Sequence, residues 1–116
     1  MGRLSIEIAG SALTTFAAVS AADITTTDTT ALKAAVAGST YNITDINVSN
    51  MHATQGTRVD ILDDATVIWS GPAAANGGGY DHTFQTPLQV TISKGINVKC
   101  GTAGAAVRAS VSGFVK

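Results

Sequence analysis

Apolar and polar residues alternate along much of this chain with a period of two, the signature of strands with one buried face. At the start, Leu4, Ile6 and Ile8 share one face while Arg3, Ser5 and Glu7 share the other. The closing run is cleaner: Val107, Ala109, Val111, Gly113 and Val115 face one way, and Arg108, Ser110, Ser112 and Phe114 the other. Ile96, Val98 and Cys100 alternate with Asn97 and Lys99. Between residues 41 and 48 the phase slips, since Tyr41 and Ile43 have one parity and Ile46 and Val48 the other. That slip predicts a β-bulge near Thr44 and Asp45. Val59 and Ile61 alternate with Arg58 and Asp60, Val67 and Trp69 resume the pattern, and Asp63-Asp64 supplies a polar turn between them. A hairpin over residues 57–70 follows.

The other segments are less regular. Residues 12–19 form an apolar stretch, residues 23–30 are threonine-rich and read as linker or strand, and residues 31–37 read as a strand or one helical turn ended by Gly38. Strands are also expected over residues 80–86 and 89–93. The stretch from residue 71 to 81 contains Pro72 and the run Gly77-Gly78-Gly79, which argue against a regular strand. A long exposed loop is expected there, and loops of that length often carry function.

Composition supports sheet. The chain has Ile 9 and Val 10 against Leu 5, with Thr 16, and branching at Cβ favours a pleated surface. The expected fold is a single all-β domain over residues 1–116, an antiparallel two-sheet β-sandwich of about eight strands, jelly-roll-like. Aromatic residues make up only 5% of 116 residues. A core built from alanine and valine buries less apolar area, which predicts that neighbours in an oligomer supply part of the stability.

Charge narrows the function. A formal net charge of -1, with basic residues scattered singly, provides no footprint for nucleic acid or an anionic membrane. No apolar run approaches the roughly 18 residues of a transmembrane helix. The first 23 residues superficially mimic a secretory signal, but Glu7 interrupts the apolar stretch and Ser5, Ser11, Thr14 and Thr15 dilute it. The single cysteine excludes an internal disulfide framework and a multi-cysteine zinc site; Cys100, sharing a face with Ile96 and Val98, is expected in the core.

Chemistry is sparse. Asp60, Asp63 and Asp64 invite a calcium reading, yet Asp60 and Asp63 fall on opposite strand faces and no glycine-centred ligand loop accompanies them, so a polar hairpin tip is preferred. Asp81-His82 beside abundant serines permits a triad on paper, without a glycine-flanked nucleophile. His52 and His82 lack zinc-ligand spacing, and the triple glycine lacks the lysine and hydroxyl of a phosphate loop. No enzyme, no cofactor and no metal is expected. Trp69 is read as core rather than a stacking platform, which leaves Tyr80 as the exposed aromatic.

The stretches "YNITDINVSN", "GTRVDILDDATVIWSGPAAANGGGYDHTF" and "VKCGTAGAAVRASVSG" resemble small structural proteins of tailed bacteriophages, over roughly residues 30–115. The resemblance implies a virion component: a capsid decoration (cement) protein, commonly a homotrimer, bridging subunits of the major capsid protein on the capsid surface after assembly in the host cytoplasm. The alternative is a receptor- or glycan-binding domain of a head or tail fibre, using Tyr80, Trp69 or the Asp60–Asp64 cluster. Under the first reading, the partner-facing residues are Leu4, Ile6 and Ile8 in an arm over residues 1–22, together with Asn76, Gly77, Gly78, Gly79 and Tyr80 of the glycine loop.

Overall fold

The computed structural model describes residues 14–116. Among them are eight strands and no helix: β1 Thr14–Val19, β2 Thr30–Lys33, β3 Tyr41–Asn50, β4 Thr57–Asp63, β5 Thr66–Ala73, β6 Gly78–Gln89, β7 Ile96–Cys100 and β8 Val107–Val115. They form two four-stranded sheets, ordered β1-β8-β3-β6 and β2-β7-β4-β5. Every pairing is antiparallel, and first meets last throughout: β1 with β8, β2 with β7, β3 with β6, β4 with β5. A long hairpin rolled up on itself gives this order, which is the connectivity of a jelly roll.

The core lies between the sheets. Ile43, Ile46, Val48, Val59, Ile61, Val98, Val107 and Val111 are all buried there; β7 and the first half of β8 keep the period-two alternation, whereas in β4 the intervening Asp60 and Leu62 are buried as well. The expected bulge exists, with the register of β3 shifting between Ile43 and Asp45 against both neighbours. That extra residue moves Ile46 and Val48 onto the face already held by Tyr41 and Ile43, so all four are buried. Tyr41 carries its polar tip inward, donating to the Ala34 carbonyl at 2.9 Å, with its ring edge-on to Phe16 at 5.1 Å between centroids. Ile24 closes the gap between β1 and β2 through a bridge to Val107.

Four expectations need correction. The exposed loop over residues 71–81 shrinks to residues 74–77, because β5 runs through Ala73 and β6 begins at Gly78. Pro72 is tolerated because β5 is an edge strand, where a missing donor costs no ladder bond on the free side. The strand expected over residues 89–93 is the tail of β6, which continues to Gln89 before a turn that includes Ser93 at φ 64°. Residues 31–37 split into the end of β2 and a loop. Val67 does not share the buried face of Trp69: Ile61 pairs with Trp69 and Leu62 with Val67, so Ile68 is an extra residue and Val67 turns outward.

Candidate interaction site

Leu4, Ile6 and Ile8 lie outside the described residues. Asn76 and Gly77 form the β5–β6 turn with φ of 62° and 91°, conformations that asparagine and glycine reach at least cost, and both are exposed. Their amides are tied down, Asn76 N–H to the His52 carbonyl and Gly77 N–H to that of Asn50. Gly78 and Gly79 pair with Asn50 and Ser49 in the ladder. A Cβ on Gly79 would sit inside the contact radius of the Val48 carbonyl oxygen. Glycine is therefore required by a close backbone approach, and the run is no flexible lid.

Tyr80 is half-buried and not an exposed docking aromatic. It pairs with Val48, a core residue, and points between the sheets. Its ring covers Gly71, where a Cβ would meet ring carbons at 2.7 Å, and its hydroxyl donates to the Val59 carbonyl at 3.0 Å. Burial, with the Asp60 carboxylate and Cys100 nearby, pushes its phenol well above the ordinary value. Tyr80 thus locks the β6 edge onto the β5 edge. Beyond it, Trp69, His82 and Phe84 continue the closure: the indole stacks on the imidazole at 4.6 Å, and Phe84 lies edge-on to both rings at 4.9 and 4.4 Å.

The aspartates disperse. Asp60 is buried, not part of a hairpin tip, and accepts two hydrogen bonds from Arg58 at 2.9 and 3.1 Å and one from Ser70. Burial raises its carboxyl pKa, but the hydrogen bonds from Ser70 and Arg58 outweigh that and hold it below the ordinary carboxylate range. Asp63 accepts from the Thr91 amide and hydroxyl at 3.0 and 2.6 Å. Asp64 occupies the turn at φ 56° and sits 3.9 Å from the Lys94 ammonium. Among the described residues no group of three metal-ligating side chains converges.

Neighbouring Asp81 and His82 point to opposite faces of β6, as strand geometry demands. Asp81 accepts from the Asn47 amide, and His82 is occupied by its aromatic stack. His52 accepts at Nδ1 from the amides of Thr54 and Gln55 at 3.1 and 3.0 Å, which shapes its loop. Cys100 is buried as expected, and burial raises its thiol pKa, keeping the less reactive thiol form.

Sequence reasoning missed Asn50. It is fully buried, yet its amide donates to the carbonyls of Gln55 and Ala73 at 2.7 and 3.1 Å and accepts from the amides of His52 and Ala106 at 3.1 and 3.2 Å. All four hydrogen-bonding capacities are met, and three loops are pinned at one end of the sandwich. The "SN" ending a strand before a methionine-histidine loop was the only signal.

The opposite end is apolar. Residues 34–40, the β4–β5 turn and residues 90–95 interlock there, with Gly38 N–H on Ser93 Oγ, Ser93 N–H on the Ser39 carbonyl and Asp64 N–H on the Gly95 carbonyl. This end exposes Val36 by 51%, Ile92 by 58% and Val67 by 47%. Compared with known proteins, the chain matches no family model and no curated sequence.

Proposed function

We propose that this protein is a non-enzymatic capsid decoration protein of a tailed bacteriophage, stabilising the head by bridging major capsid protein subunits. The observation that carries the reading is the apolar end of the sandwich. Val36 and Ile92, on two loops that bond to each other, and Val67, near the start of β5, stand in water at an end that also carries Asp64, Lys94 and Ser39. An apolar centre with a polar rim is the anatomy of a protein-binding patch. Three further features support a holding role: a rigid jelly roll, a fold used in viral shells among other places, carboxylates consumed by internal bonds, and a near-neutral charge suited to a protein shell. β1 starts at this same end, since Thr14 pairs with Val115 beside the Thr40–Lys116 bonds. On this reading an arm carrying Leu4, Ile6 and Ile8 would reach a neighbouring subunit from the end where Thr14 lies.

Re-addition of purified protein to particles stripped of it is the test. Val36→Asp combined with Ile92→Asp, or deletion of residues 1–10, is expected to abolish occupancy while the melting temperature holds. Full occupancy by the double variant would overturn the assignment of the patch, and absence of the chain from a density map of the intact particle would overturn the function.

A second reading, a glycan-binding domain of a fibre, finds support in a different place from Tyr80. The outer face of the β1-β8-β3-β6 sheet holds an open depression of about 460 Å³ where Asp45, Asn47, Asp81 and Ser112 lie beside the apolar Ala17 and Val19. Micromolar glycan binding lost on Asp81→Ala would favour it.

A further inference from the structure

A sandwich of open sheets has four edges, and proteins blunt edges to prevent unwanted strand pairing. Three of the four are blunted here. β2 has four residues, a register break between Ala31 and Lys33, and a lysine. β5 carries Pro72 and the bulge at Ile68. β6 carries Asp81, Pro87 and a register break where the six residues Thr83 to Leu88 oppose the three from Ile43 to Asp45.

β1 has none of these devices. Its sequence TTFAAV is uncharged and lacks proline, and its register against β8 is unbroken through six pairs. The direction of its free groups follows from the ladder. Ser20 N–H donates to the Ala109 carbonyl at 2.9 Å, so in an antiparallel pair Ala18 and Phe16 also bond toward β8. Thr15, Ala17 and Val19 then aim their N–H and C=O groups outward, with no partner among the described residues.

We propose that two copies of this chain pair through the outer edge of β1, antiparallel about a two-fold axis at Ala17. The strand is self-complementary in that register. Ala17 faces Ala17, so the smallest outward side chain sits on the axis. Phe16 faces Ala18 on the core side, large against small, and Thr15 faces Val19 on the outer side, covering a valine that is 64% exposed. No like charges meet. The outward backbone groups of Thr15, Ala17 and Val19 each find partners, giving one continuous eight-stranded sheet across the pair.

The contact is small, so the dimer belongs to the transient class and is sought at roughly 100 µM, by sedimentation equilibrium on the purified full chain. The expected species is a dimer. Ala17→Lys and, independently, Val19→Lys put a charge on the outer face of the edge and are expected to raise the dimer dissociation constant at least tenfold without lowering the melting temperature. Thr83→Lys, on the opposite edge, is expected to leave it unchanged. Ala17→Cys is expected to give a disulfide-linked dimer on mild oxidation, since paired Cα atoms about 5.5 Å apart suit that bond. A monomer or a trimer at this concentration overturns the proposal, as does a dimer that survives both lysine variants. Monomers that begin to pair once residues 1–10 are deleted also overturn it, by showing that the chain covers its own edge. The test needs no capsid, so its failure leaves the decoration reading standing, and lost capsid occupancy leaves the dimer standing.

Discussion

The two open sides of this sandwich are closed by different means. On the β5/β6 side, a four-residue turn joins the sheets and a row of rings fills the gap: Tyr80 over Gly71, then Trp69, His82 and Phe84 in mutual contact. On the β1/β2 side, Ile24 bridges to Val107 and Phe16 rests edge-on against Tyr41, but the outer edge of β1 has no blunting device. In a chain with six aromatic residues, three are spent on one side. The proposed dimer uses the lightly closed side.

Five substitutions and one titration break or sharpen this contrast. Gly79→Ala should be the most damaging, since the new methyl meets the Val48 carbonyl and the ladder must shift; about 3 kcal/mol of unfolding free energy is the expected loss by urea denaturation. Trp69→Ala removes the centre of the ring stack and should cost about 2 kcal/mol, less than a fully buried tryptophan because the indole is only half-covered. Tyr80→Phe keeps the ring over Gly71 but drops the bond to Val59, for a loss of about 1 kcal/mol.

Acid should act on the same side through Asp60, beside Tyr80. Its carboxyl titrates lower folded than unfolded, so its contribution is complete above the unfolded value of about 4 and drains away as pH falls through the folded one. The urea midpoint should therefore fall below about pH 4, and Asp60→Asn should flatten that fall. An unchanged slope in Asp60→Asn would remove Asp60 as its source. At the other side, Ala17→Lys should change stability by less than about 0.5 kcal/mol, because the site is exposed, while it removes self-association.

Much of the fold was legible because the parity of apolar residues is a local property. The bulge at Thr44, the β4–β5 hairpin, β7 and β8 all follow from residues adjacent in sequence. What escaped depends on partners far along the chain. The glycine run reads as a loop until Val48, far earlier in the chain, is seen to press on Gly79. Pro72 reads as a breaker until β5 is known to be an edge. Asp60 reads as part of a polar hairpin tip until Arg58 and Ser70 are seen to hold it as a buried carboxylate. The candidate site was the least legible part. Its apolar end is assembled from Val36, Val67 and Ile92, two isolated loop residues and one at the start of β5, which no window of sequence joins.

The nesting of strands, first against last, has a kinetic side. β1 cannot find its ladder until β8 has formed, almost a hundred positions later, and β8 must also slot between β1 and β3. Contacts so distant close slowly, so folding is expected in milliseconds to seconds, far behind helical domains of equal length. Throughout that interval the uncharged segment Thr14–Val19 waits unpaired on both sides, and a crowded refolding mixture is where it would first go astray.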